Sequence, residues 1–278
     1  MRFSQRIGAR PPFSSGLEEA SPKLRTALWN VLQGRLFPGS YNDLDAEDVS
    51  YRNAQLIWVH MHRPVNEAPT TSQQAKYALS EYWLSCEWPE FFDLFEFSLQ
   101  CVMPEEDDDA RAQWFSEAND LLEDQGCAYR FISEELAPLT NPLEVQEVSR
   151  AADSAIESVA EHIRAALALM PPNPDHSARN SIKESISAVE AALKNLTGDA
   201  TATLGEGLKL FAKKYQLDQS LYRVIEQIYA FTNAPSGMRH AKAKEAPDVT
   251  IDQARLMVVV CSAFSNHLIA LTASAPAA

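Results

Sequence analysis

The sequence predicts a mainly α-helical protein, in which a helical N-terminal domain with a small β-hairpin precedes a bundle of longer helices. Three observations predict this. Apolar residues recur at three- and four-residue spacing through most of the chain, as one buried helix face requires. Capping residues stand in front of those stretches: Ser21 before Pro22, Thr71 and Ser72, Thr203 with Glu206, Asp218, and Thr250 with Gln253. One stretch alone, 127–139, reads as two short strands around a turn.

A chain of 278 residues is long enough for two domains, and its 46% apolar and 22% charged composition is that of a globular protein. The net charge of −14 argues against broad, non-specific nucleic-acid binding, although a small basic pocket remains compatible with it. Cys86, Cys101, Cys127 and Cys261 have no zinc-knuckle spacing and sit in apolar runs, so they read as small buried hydrophobes. No charged-then-apolar leader opens the chain, and no unbroken run reaches 18 apolar residues. The expectation is a soluble, cytoplasmic protein that binds no membrane.

The first twenty residues are rich in arginine and turns, with Phe3, Ile7 and Phe13 as anchors for an extended arm. Ser21 and Pro22 then open a helix through Leu24, Leu28, Trp29 and Leu32, which Gly34 and the Phe37-Pro38-Gly39 turn should stop. Val49 to Met61 is a second helix. Its His60 and His62, two apart, cannot share a helical face, and no third ligand accompanies them. Thr71 or Ser72 opens a helix through Tyr77, Leu79, Tyr82, Trp83 and Leu84, and Pro89 opens another from Phe91 to Leu99. Acidic residues, not Lys and Arg, interleave these aromatics, so the stretch reads as core or protein contact rather than a base-stacking platform.

The acidic run 105–109 precedes a helix through Trp114, Phe115, Leu121 and Leu122, where carboxylates suit the positive end of the helix dipole. It lacks the alternating ligands and central glycine of a calcium loop. Gly126 ends that helix, and the hairpin follows. A hairpin so small needs a helical domain to lie against. Domain boundaries are therefore set at 1–142 and 143–278.

The second domain opens with Val145, Val148, Ala152, Ile156, Val159, Ile163, Leu167 and Met170, read as one long helix ended by Pro171-Pro172. The central helix follows, starting as early as Asp175, with Ile182, Ile186, Val189, Leu193 and Leu196 as its stripe. Two capping boxes and Asp218 open the remaining helices, the last carrying Leu256, Met257, Val260, Phe264, Leu268 and Leu271.

Two polar knots stand out in this domain. Arg179, Asn180, Lys183 and Glu184 crowd the first turns of the central helix, and Gly237-Met238-Arg239-His240 follows an aromatic run. Arg179, Lys183 and Arg239 suit a phosphate, with Glu184 to orient one of them. Histidine suits general acid–base work near neutral pH, which makes His240 a candidate. The alternative is structural, because pairs four apart occur on any solvated helix. Ser181, Ser185 and Ser187 show no triad or elbow motif, and Gly205 and Gly207 lack the preceding strand and the lysine of a phosphate loop.

The opening FSQRIG with Pro11-Pro12, the helix SPKLRTALWNVL and the hairpin CAYRFISEELAPLTNPLE resemble the N-terminal domain of AbiJ-type abortive-infection proteins of bacteria and their prophages. RNSIKESISAVEAALKNLTGD, ATLGEGLKL, SGMRHA and VVVCSAFSNHLI look like the helical partner domain of such proteins, a relative of HEPN domains. The resemblance implies anti-phage defence, and a metal-independent endoribonuclease that needs no cofactor. Many HEPN proteins are such enzymes: dimers that use the Arg and His of an R-x4-6-H motif, often with a neighbouring Asn. A site for that chemistry would be assembled here from Arg239 and His240 with Asn180 or Arg179 as catalytic residues, and the polar-knot residues Arg179, Lys183 and Glu184 would meet the substrate. The resemblance also gives a homodimer through the C-terminal domain, an RNA or nucleotide ligand, and a phage or defence-system protein as partner.

This sequence departs from that pattern. No Arg is followed by a His after four to six residues, and Arg239 and His240 are adjacent. A non-catalytic dimerisation, sensing or regulatory subunit is therefore the second reading.

Overall fold

The computed structural model describes residues 19–37, 44–64, 67–101, 108–170, 177–233 and 249–273. Among them are eleven helices and one two-stranded sheet, so the chain is mainly α as expected. Its contacts divide it into two compact units, 1–136 and 137–278. The Arg-rich arm lies outside the described residues.

The first unit holds α1 (Pro22–Leu36), α2 (Leu44–His60), α3 (Ser72–Ser85), α4 (Trp88–Cys101) and α5 (Asp108–Asp124), closed by β1 (Arg130–Ile132) and β2 (Glu135–Ala137). The caps work as read: the Ser21 hydroxyl accepts from the Leu24 N–H at 3.2 Å, and Thr71 from Gln74 at 3.2 Å. Gly34 does not stop α1, which runs on to Leu36, because one helical glycine costs only about 1 kcal/mol against a buried apolar face. The second helix likewise starts earlier than Val49, at Leu44.

Trp83 sits at the centre of an aromatic core. Its ring meets Phe91 edge-on with centroids 4.7 Å apart, and Trp29 at 5.8 Å. Arg25 and Trp83 exchange hydrogen bonds. The indole N–H donates to the Arg25 carbonyl at 2.8 Å, and the guanidinium donates to the Trp83 carbonyl at 2.8 Å. These reciprocal bonds lock α1 to α3 and satisfy a buried cation with carbonyl dipoles. Tyr77 and Leu84, expected on the apolar face, are exposed; the face is Ala75, Leu79 and Trp83, spaced by four.

The hairpin is shorter than expected but lies against α5 as its size demands. Asn119 clamps Phe131 on both sides, accepting its N–H at 2.7 Å and donating to its carbonyl at 3.0 Å. The turn residues Ser133 and Glu134 both have positive φ, 47° and 70°, where non-glycine residues are strained. Gln100 donates to the Glu134 carbonyl at 2.8 Å, and Arg111 pairs with the Glu134 carboxylate, so the turn is held from two helices.

The second unit holds α6 (Pro142–Ala152), α7 (Glu157–Ala168), α8 (Ser177–Thr197), α9 (Leu204–Tyr215), α10 (Gln219–Asn233) and α11 (Ile251–Ala273); α7, α9 and α11 pack on α8, and α6 lies on α7 and α11. The single long helix expected from Val145 to Met170 is two. The Ser154 hydroxyl accepts the Ile156 N–H at 3.2 Å, and Ile156 leaves helical geometry at φ −90°, ψ 98°. Asp and Ser side chains offer the backbone a local alternative to the helix, which periodicity does not register. The central helix is described from Ser177; Asp175 lies outside the described residues.

Helix α11 is anchored by Asn266, which donates to the Glu147 carbonyl and carboxylate, each at 2.9 Å. It is also the one helix among the described residues that is long and apolar enough to cross a membrane. Ser262, Ser265 and Asn266 break its apolar run, so a search for unbroken runs passes over it. Within its unit it packs as a core helix, burying Ala254, Met257, Val258, Cys261 and Leu268; Leu256 is exposed, against expectation.

The capping box Thr203–Glu206 forms, and α9 then meets α8 through Gly207. A Cβ there would stand 3.1 Å from the Leu193 Cβ, whereas Gly205 has open space. Gly205→Ala is expected to stabilise the protein by about 0.5 kcal/mol through helix propensity, while Gly207→Ala gains nothing or destabilises. Urea unfolding of both variants checks this; equal gains would contradict the close approach of α8 and α9.

The Arg111 hydrogen bond holds the Glu134 carboxyl below its ordinary value of 4.5. A depressed folded-state value stabilises the fold above 4.5, and that contribution is lost as pH falls through the depressed value. Wild type should therefore lose stability on acidification more steeply than Glu134→Gln, as measured by urea midpoints across pH. Parallel pH dependences would exclude the ion pair from the folded state.

Candidate functional site

The first turns of α8 carry the polar knot, and α8 is buried along its apolar stripe: Ile182, Ile186, Val189 and Leu193 are buried. Burial of that stripe confines the polar side chains to the remaining face. Asn180 is exposed there, and Arg179 and Lys183 are half-buried. Arg179 Nη1 is itself buried and has no hydrogen-bond partner among the described residues.

Glu184 does not turn to its own helix neighbours. Its carboxylate meets His162 Nδ1 of α7 at 2.7 Å, with the two side chains 33% and 38% exposed. Nearby, the buried Ser181 hydroxyl donates to the Ala166 carbonyl at 2.8 Å. Stepping four residues back along α7 moves three forward along α8, the register of two antiparallel helices. An ionised carboxylate only accepts, so the histidine donates from Nδ1.

Beside this pair runs an open groove of about 580 Å³, lined by Ser158 and His162 of α7 and by Ser187, Glu190, Lys194 and Asn195 of α8. Lys194 pairs with Glu190 at 2.9 Å, one helical turn away. His162 escaped the sequence reading. It lies 22 residues from Glu184 on another helix, and only the antiparallel register brings the two together.

Arg239 and His240 lie outside the described residues, as does their meeting with Asn180 and Arg179. A second groove, about 350 Å³ and apolar, lies in the first unit between α2 and α4. His60 stacks there on Phe97 with centroids 3.9 Å apart, and burial lowers its affinity for a proton. Among the described residues no cluster of His, Cys, Asp and Glu has the makings of a metal site.

The first unit thus defines an aromatic helical domain sealed by a strained hairpin, and the second is a helical bundle bearing a polar face. The profile of the family AbiJ N-terminal domain 4 matches residues 1–154, more than half of the chain, and the protein belongs to that family. No curated protein matches the chain. No solved structure matches it either.

The His162–Glu184 pair is a third exposed, so it should contribute only about 1 kcal/mol or less to stability. Glu184→Ala is expected to leave the urea midpoint nearly unchanged, whereas Ser181→Ala, which orphans the buried Ala166 carbonyl, costs about 1–2 kcal/mol. A large loss for Glu184→Ala would make the pair a structural brace.

Proposed function

We propose that the protein acts in bacterial anti-phage defence of the abortive-infection type, and that its second unit is a HEPN-like bundle through which it acts on RNA in the cytoplasm. Membership of the AbiJ N-terminal domain 4 family is the observation that carries the defence role. The polar start of α8, with one guanidinium nitrogen of Arg179 buried and unpartnered, supports an anionic ligand there. In the catalytic form of this reading, Arg239, His240 and Asn180 cleave RNA without a metal, and Arg179 and Lys183 hold phosphate. Glu184 acts through His162 rather than on the substrate directly. A homodimer through the second unit belongs to the same proposal, and the exposed Leu256 of α11 and Leu143 of α6 are apolar surface for such a contact.

One observation favours a second reading, a non-catalytic dimerisation, sensing or regulatory subunit that works with a phage or defence-system protein. The chain contains no Arg and His at the spacing the nuclease motif requires. Induced expression in bacteria separates the two readings, comparing wild type with Arg239→Ala and His240→Ala and sequencing total RNA for new 5′ ends. Arrest with discrete cleavage, lost in both folded variants, is expected of the nuclease. Arrest that survives both substitutions without new 5′ ends gives the second reading. Absence of arrest and of phage protection in wild type would overturn the defence role.

A further inference from the structure

The net charge is divided unevenly along the chain. Residues 19–136 hold 22 Asp and Glu against 8 Lys and Arg, a balance of −14, whereas residues 137–278 hold 15 against 13. The N-terminal arm, 1–18, reverses the sign, with Arg2, Arg6 and Arg10 against Glu18. It is a basic segment attached to the most acidic part of the protein. The family profile includes it, since the match starts at residue 1. Phe3 and Ile7, four residues apart, each follow one of those arginines.

The same unit presents an apolar recess, the groove of about 350 Å³ between α2 and α4. Leu56 and Val59, neighbours on one face of α2, wall it and are 40% and 56% exposed. Phe97 and the His60 ring stacked on it form the other side. Burial lowers the proton affinity of that histidine, so the stacked pair presents an apolar surface. Arg52 is the one lysine or arginine on the walls, and it already has a partner within the fold. Asp93, exposed on α4 one turn before Phe97, is close enough to His60 to act on its charge. The groove is thus apolar inside with a carboxylate at its edge, the pattern of a surface that another segment covers.

We propose that the arm docks back on its own unit, with Phe3 and Ile7 seated in the groove between α2 and α4. Arg2 and Arg6 then meet carboxylates at its rim, Asp93 among them. Charge selects the first unit over the second, because a basic segment gains from a surface of −14 and little from one of −2. Tethering selects the arm over a free partner. Eighteen residues span up to about 60 Å when extended, more than the width of a unit of this size. The arm is therefore present at an effective concentration on the order of millimolar, which a foreign protein has to exceed. Side-chain type selects the groove, since Phe3 and Ile7 leave water for a recess walled by Leu56, Val59 and Phe97. The inference is independent of the reading that the second unit acts on RNA. A foreign basic and apolar segment reaches this groove only by displacing the arm, so the arm controls when the surface is exposed.

The test places the photo-cross-linking residue benzoyl-phenylalanine at position 3 of the full-length protein and maps the linked peptides by mass spectrometry. Irradiation should link position 3 to peptides containing 52–60 or Phe97, at the mass of a single chain. A second probe at Ser4, which leaves Phe3 and Ile7 native, should give the same links. Val59→Asp should cut the yield about tenfold, because a seated arm would strip water from the new carboxylate. Asp93→Asn should lower the yield less and reduce its dependence on salt. Val59 and Asp93 are both exposed, so these variants should fold, and circular dichroism checks that they do.

The same peptides linked at the mass of two chains would overturn docking of the arm on its own unit and give exchange of arms between copies. Links to the second unit, links scattered over the chain, or a yield that Val59→Asp leaves unchanged would overturn the groove. Absence of any link from both probe positions would overturn it too, since a seated position 3 lies within bonding reach of Leu56 and Val59.

Discussion

Helix α8 is held by α7, α9 and α11, and this enclosure is the constraint on which the second unit depends. A helix packed on several sides retains one strip for polar groups, since a buried charge without a partner costs several kcal/mol. Arg179, Lys183, Glu184, Ser187, Glu190 and Lys194 recur at helical spacing along that remaining surface. The strip therefore runs from the polar knot at the start of α8 to the lysines near its end. Gly207 is part of the same constraint, because α9 gains its position only where no Cβ intervenes.

The first unit solves a different problem. Its core is built from large aromatic rings, which fill volume efficiently but pack in few arrangements. Arg25 shows how that core accommodates polarity. The guanidinium is buried under Phe91 at 4.6 Å and bonds to carbonyls of Ala20 and Trp83, so it fixes two helices rather than a ligand. The hairpin completes the unit: strain at Ser133 and Glu134 persists because Gln100, Arg111 and Asn119 grip the turn and strand from outside. A strained turn gripped in this way is a structural closure, and it needs no substrate to explain it.

The sequence made the caps legible because they are local. Ser21, Thr71, Thr203, Asp218 and Thr250 each bond backbone N–H groups within three residues, and each forms as read. The break at Ser154 was not legible from periodicity, since Val148, Ala152 and Ile156 keep helical spacing straight through it. Tyr77 and Leu256 were misassigned for a related reason: an apolar residue beside the stripe is indistinguishable from one within it until the neighbouring helix is known. The candidate site divides the same way. Arg179 to Glu184 stood out as polar groups crowding the start of a helix, while His162 showed nothing until the register of α7 against α8 set it beside Glu184.

Charge then limits how the polar strip is used. At physiological ionic strength fields decay over about 8 Å, so what a group on this strip feels is set by its near neighbours more than by the net charge of −14. Lys194 has Glu190 at 2.9 Å, so that cation is balanced one helical turn away. A uniformly basic protein would bind nucleic acid on many faces. An acidic balance of this size discourages such non-specific binding, so any recognition of an anion by α8 has to come from the few cations of its polar strip, Arg179, Lys183 and Lys194.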